Sequence, residues 1–229
     1  SFDINMPKEV NRLVIDGLSD ILFTAGMSNN SIANREGAEL SKVYMVGNIL
    51  IDNIRADRGR FVRPAVLDRL GIDDHSYLVF TLNRKALIAN TDNLQRMLQA
   101  LVTAAGSTPI IAPLRGIARE TVMALLPTLP THLHLIDPLG YLEFGYLSLH
   151  AKGIITDSGN VAEEATFNSV PCITLNSYTE HIETVKVGSN VLVGEDAKAL
   201  ATYVSQMTAG QWKPCAIPER WDGRSAERI

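Results

Sequence analysis

Gly153-Ile-Ile-Thr-Asp-Ser-Gly-Asn-Val-Ala-Glu-Glu-Ala165 is the stretch on which the reading of this chain turns. Gly153–Thr156 suits a buried strand, small polar residues follow, and 161–168 has helical spacing. In an open parallel sheet, ligands gather beyond the carboxyl ends of the strands. There the first N–H groups of the next helix lack intrahelical partners and carry the positive end of its dipole. An anion such as phosphate suits that place. Ser158 adds a hydroxyl, and Gly159 adds a backbone that a ligand can approach closely. Glu163 and Glu164 cannot both meet a phosphate, because like charges repel. One carboxylate at this distance suits ribose hydroxyls, from which it accepts charge-assisted hydrogen bonds. A plainer reading stands beside this one: Thr-Asp-Ser-Gly is an N-cap, and the two Glu residues favour the first turns. Taken alone, the segment fits the cap slightly better, since such caps are common.

The same alternation holds on both sides. Short apolar runs rich in β-branched residues predict strands at 77–82, 109–112, 133–136, 172–175 and 191–193, and helical spacing marks 92–105, 119–126, 139–149 and 197–207. Strand–helix alternation of this kind predicts βαβ units and a doubly wound parallel sheet covered on both faces, an α/β fold. The first 75 residues differ. Residues 7–20 read as a helix with Pro7 at its start, Glu9 in the first turn, and Val10, Leu13, Val14 and Leu18 on one face. Segments 20–24 and 43–46 are short strand candidates, and 49–54 begins another helix. The basic stretch 55–63 reads as a solvated connector.

At 229 residues the chain fits one large domain, or one domain with an attached segment, against roughly 100–200 residues per domain. A hydrophobic share of 46% with 20% charged residues is ordinary for a globular protein with a sizeable core. A net charge of −4 without a basic block argues against nucleic acid as the main partner. No apolar run is long enough to span a bilayer and no signal peptide opens the chain, so no membrane role and a cytoplasmic location are expected. Cys172 and Cys215 make no disulfide framework, and Cys172 lies in an apolar run that suits a buried thiol. His132 and His134 alternate like a strand pair, but no Cys, His or carboxylate cluster accompanies them, and His75 and His150 are isolated. No metal and no cofactor are expected. Ser158 lacks a Gly-x-Ser-x-Gly elbow, which discounts a hydrolase nucleophile.

Several separated segments resemble, in the same order, the non-hydrolysing UDP-N-acetylglucosamine 2-epimerases. The opening Phe2-Asp-Ile-Asn-Met-Pro-Lys-Glu-Val-Asn-Arg12, with Ile15-Asp-Gly-Leu-Ser-Asp-Ile-Leu-Phe23, is similar to a segment just beyond that family's N-terminal domain. Val46-Gly-Asn48 with Ile51-Asp52 resembles the entry to its C-terminal domain, and Thr81-Leu-Asn-Arg84 sits where the family carries Thr-x-His-Arg. Asp137-Pro-Leu-Gly-Tyr141 with Phe144, the segment 156–164, Thr179-Glu180 and the stretch 188–194 complete the series. The resemblance implies a GT-B-type fold of two Rossmann-like halves with the active site between them. This chain would hold the second half, with residues 1–47 a remnant of the N-terminal domain and connector, and 48–229 the UDP-binding domain. The resemblance further implies that Phe144 lies against the uracil, Ser158 and Gly159 hold the diphosphate, and Glu164 holds the ribose. Arg84 and Arg115 would be available to phosphate, although a surface role suits Arg115 equally. UDP or a UDP-sugar is the implied partner, and a homodimer is an open assembly.

The family inverts C2 of a UDP-linked N-acetylhexosamine, for cell-surface polysaccharide supply, by eliminating UDP and adding it back after reprotonation at C2. That chemistry needs donors for the departing diphosphate and acid/base groups at C2. The second need meets departures here. A family carboxylate falls at Lys8, the family histidine before Arg84 is Asn83, a histidine falls at Arg115, and the Arg after Thr179-Glu180 is His181. Asn cannot shuttle protons near neutrality, and Lys accepts only when deprotonated. Other family carboxylates would lie before residue 1. Two alternatives therefore stay open: a non-catalytic UDP-sugar-binding relative, and a glycosyltransferase on the same fold, the latter by analogy alone.

Overall fold

The structure, a computed structural model, describes residues 5–229, so residues 2–4 of the opening motif lie outside it. Helix α1 (Pro7–Leu18) starts with Pro7 at N1, where a missing N–H loses no intrahelical bond. None of its residues is buried, and Val14 and Leu18 are exposed. Strands β1 (Leu22–Thr24) and β2 (Val43–Met45) pair in parallel, Leu22 opposite Val43, with α2 (Met27–Arg35) between them in sequence. Periodicity does not reveal α2. In Met27-Ser-Asn-Asn-Ser-Ile-Ala-Asn-Arg35 only Ala33 is buried, so no apolar stripe marks the helix.

Helix α3 (Ile49–Asp57) follows, capped by Asn48, whose side chain accepts from Leu50 N at 3.0 Å. Next come α4 (Ala65–Arg69), β3 (Leu78–Phe80), α5 (Lys85–Ala89), α6 (Thr91–Ala105), β4 (Ile110–Pro113), α7 (Gly116–Leu125), β5 (Leu133–Ile136) and α8 (Tyr141–Leu149). The chain continues through β6 (Gly153–Thr156), α9 (Gly159–Phe167), β7 (Cys172–Thr174), α10 (Glu183–Lys186), β8 (Asn190–Leu192), α11 (Ala197–Thr208) and α12 (Ser225–Arg228). Strands β3 to β8 form one parallel sheet in the order β5-β4-β3-β6-β7-β8. The chain thus winds outward from β3 to β5, returns to lay β6 beside β3, and winds outward again to β8. The switch point lies between β3 and β6, which is where a doubly wound sheet opens a crevice.

Side chains alternate between the two faces of this sheet. Leu78, Phe80, Ile110, Ala112, Ile155 and Ile173 join a core with Leu94, Leu98 and Leu101 of α6 and Leu200 and Val204 of α11. Val79, Ile111, Ile154 and Cys172 join the opposite core with Val66, Leu147, Ala162 and Ala165. Burial on both faces explains why the strands read as continuous apolar runs instead of alternating ones. The fully buried Cys172 has its thiol pushed up to about 12 by that burial.

The last residues return to the start of the chain. Trp221 is buried against Ile51 and Ile54, and its Nε1 donates to Ala25 O at 3.0 Å. Asp52 accepts from the N–H groups of Ser225 and Ala226 at 3.0 and 2.8 Å, which caps α12. Gly47 has φ of 106°, and a Cβ there would lie 2.1 Å from Arg220 O, so the tail passes where only glycine fits. Among the described residues, no helix is long and apolar enough to cross a membrane.

Candidate functional site

The switch point is built from three strand ends. The β3–β6 ladder runs to Phe80 opposite Ile155. Immediately beyond it the hydroxyls of Thr81 and Thr156 lie 2.6 Å apart, both buried. One residue further, the buried Asp157 carboxylate accepts from the backbone N–H groups of Asn83 and Arg84, at 2.7 and 2.6 Å. Arg84 is the N-cap residue of α5, and its guanidinium crosses the end of β7 to reach Leu175 O at 3.0 Å and Glu195 at 2.9 Å.

Helix α9 starts at this point. Ser158 is its N-cap, and its hydroxyl accepts from Val161 N at 3.5 Å. The cap reading of the segment therefore holds as local structure, and it does not use up the helix end. The N–H groups of Gly159 and Asn160 precede the first intrahelical bond, from Ala162 N to Ser158 O at 3.2 Å, and neither meets a protein acceptor among the described residues. Gly159 is exposed, and a Cβ there would meet nothing within 4 Å. The geometry is open towards solvent with two donors at a helix dipole's positive end, which suits an anion.

The two adjacent carboxylates part company. Glu163 is buried, 3.0 Å from Asn48 Nδ2 and 3.2 Å from His181 Nε2. Burial pushes its carboxyl above the usual range, against the opposing pull of His181 and Asn48. Glu164 is half-buried, and burial, with the Glu163 carboxylate adding to it, pushes its carboxyl up to about 7. Of the pair, Glu163 is engaged internally and Glu164 remains partly open. Helix α8 starts alongside: burial pushes the Tyr141 phenol upward, with the carboxylates of Asp57 and Glu164 adding to the effect. Phe144, on the same helix, packs against the second core with Val161 of α9 and stays half-buried. It is thus a core aromatic that keeps part of its surface free.

The structure brings Asn83, Arg84, Ser158 and Gly159 to the switch point, with Glu164 one turn along α9 and Phe144 on the neighbouring helix. Arg115 is exposed beyond the end of β4. Lys8 belongs to another group. It pairs with Glu180 of the loop after β7, which holds the Lys8 ammonium above its usual range and keeps it charged. Beside that pair, His181 sits edge-on to Trp221 with ring centroids 5.9 Å apart. Sequence reading flags His181 only as a departure and does not find its bond to Glu163. Nor does it give Asp157 or Asn48 a role, although both stand within quoted motifs, 156–164 and Val46-Gly-Asn48. Among the described residues no cluster of three or more His, Cys, Asp or Glu could hold a metal ion.

A family model described as UDP-N-acetylglucosamine 2-epimerase matches residues 1–229. The chain is 36% identical over 245 residues to UDP-N-acetylglucosamine 2-epimerase of Methanocaldococcus jannaschii, covering 100% of this chain and 64% of that protein. It is 34% identical over 201 residues to UDP-2,3-diacetamido-2,3-dideoxy-D-glucuronate 2-epimerase of Pseudomonas aeruginosa, covering 85% of this chain and 54% of that protein. The crystal structure of the M. jannaschii UDP-GlcNAc 2-epimerase in complex with UDP-GlcNAc and UDP is similar with a TM-score of 0.81 and 31% identity, over 100% of this chain and 66% of that one. The chain therefore spans less than two thirds of the length of these relatives. A six-stranded parallel sheet whose order reverses between β3 and β6, an ordered series of motifs and a match along the full chain agree: it is the second half of a GT-B-type fold, and it belongs to the UDP-N-acetylglucosamine 2-epimerase family.

Proposed function

We propose that this chain is the nucleotide-binding half of an enzyme that inverts C2 of a UDP-linked N-acetylhexosamine, with residues 48–229 holding UDP and 1–47 forming the remnant and connector of the other domain. The observation that carries this reading is the open start of α9, where the N–H groups of Gly159 and Asn160 lack protein acceptors beside Arg84. Donors and positive charge at that point suit a departing diphosphate, and their effect grows as charge develops on it. Glu164 would take the ribose hydroxyls and the free surface of Phe144 the uracil. Aromatic contact with a base and helix-terminus contact with phosphate are each sound physics.

The proton exchange at C2 is carried less well by these residues. Lys8 is charged and paired with Glu180, and Asn83 offers an amide where the family carries histidine. Those two observations favour a second reading, a UDP-sugar-binding relative without turnover. Proton NMR with UDP-GlcNAc in deuterated water separates the two. Deuterium at C2 with UDP-ManNAc formed supports the enzyme. Binding of UDP by calorimetry without exchange supports the second reading, and no binding counts against both. The P. aeruginosa relative's name points to a different UDP-sugar, so its substrate class belongs in the same experiment.

A further inference from the structure

We infer that Asp157 is a positioning residue that sets Arg84 for the nucleotide by clamping the backbone of residues 83–84 across the switch point. This rests on the reading that the crevice takes a UDP-linked sugar. The β3–β6 pairing ends with a bond from Thr81 N to Ile155 O at 3.0 Å. Beyond it the backbone ladder stops, and the Thr81–Thr156 hydroxyl pair at 2.6 Å is the last link before the two loops that carry Arg84 and the start of α9 to opposite sides of the gap. Asp157 spans it. One carboxylate oxygen takes both N–H groups, at 2.7 Å from Asn83 and 2.6 Å from Arg84. Bonds to an ionised acceptor are roughly twice as strong as neutral ones. Its backbone carbonyl accepts from Asn176 Nδ2 at 3.1 Å, which ties in the end of β7 as well.

Asp157 is 8% exposed, so water does not readily replace these bonds when the carboxylate is removed. With the backbone at Arg84 held, its guanidinium extends over β7 to Leu175 O and Glu195. Arg84 Nε is buried without a protein partner among the described residues. A buried unpartnered donor calls for an explanation, and an anionic ligand that Arg84 meets is one. Asp157 acts on the ligand through Arg84, not by touching it.

The test is UDP titration calorimetry on this chain, with thermal unfolding of every variant, for Asp157→Ala, Asp157→Asn, Arg84→Ala and the two doubles. Asp157→Ala should weaken UDP about tenfold, and Arg84→Ala at least as much. The double with Asp157→Ala should be no worse than Arg84→Ala alone within about threefold, and the double with Asp157→Asn within about 1.5-fold, because the two residues serve one contact. Asp157→Asn keeps an oxygen acceptor and should lose only about threefold. Unchanged affinity in a folded Asp157→Ala, or losses that multiply in the double, would overturn the inference. Should Asp157→Ala not fold, the same cycle with Asp157→Asn decides, multiplied losses again overturning it. Absence of UDP binding by the unaltered chain sinks the functional reading and this inference together. Binding that every Asp157 variant leaves unchanged removes the inference alone.

Discussion

Replacing Glu164 by Gln puts a number on the electrostatics of the crevice. Burial, reinforced by the adjoining Glu163, raises the Glu164 carboxyl from 4.5 to about 7. The folded state then keeps a proton that the unfolded chain has already released. Stability from this group is therefore fully present below about pH 4.5, is lost as pH rises through about 7, and changes little above that. Relative to the fully protonated group, the two values give a destabilisation of about 0.8 kcal/mol at pH 5 and about 3.3 kcal/mol at pH 8. The difference is about 2.5 kcal/mol, an upper bound because the side chain is only half-buried. Gln keeps the shape and cannot titrate. Urea unfolding at about pH 5, 6, 7 and 8 should show the unaltered protein falling behind Glu164→Gln by up to about 2.5 kcal/mol across that range. A stability difference between the two proteins that stays flat within about 0.5 kcal/mol would refute the desolvated carboxylate.

Two further outcomes follow from the same geometry. Ser158→Ala combined with Glu164→Ala should weaken UDP binding by about tenfold or more in calorimetric titration, while circular dichroism shows the fold intact; unchanged affinity would reduce the segment to a helix cap. Gly47→Ala places a Cβ against Arg220 O at a φ of 106° and should cost about 3 kcal/mol, read as a lowered Tm; an unmoved Tm would show that the C-terminal tail is not locked there.

Legibility in the sequence tracks how local the cause is. Strands β3, β4, β6 and β7 are readable because each is an apolar run buried on both faces of a parallel sheet, and α6 and α11 because one face of each meets that sheet. Helix α2 escapes because its sequence is polar nearly throughout, and α10 and α12 because four residues are too few to show a period. The candidate site divides in the same way. Ser158 and Gly159 are visible as a strand–turn–helix junction. Asp157 looks like a capping residue until the structure shows that its partners lie 73 and 74 positions away.

The order of strands and helices, the family motifs and the junction at Ser158 can all be read without coordinates, since each depends on neighbours a few residues apart. Which of Glu163 and Glu164 is engaged inside the protein cannot. Adjacent residues on a helix point about 100° apart, so what lies on each side decides which of the two is tied down. Asn48, 115 positions from Glu163, and His181, on the loop after β7, claim one carboxylate, and only folding brings those groups to the same place.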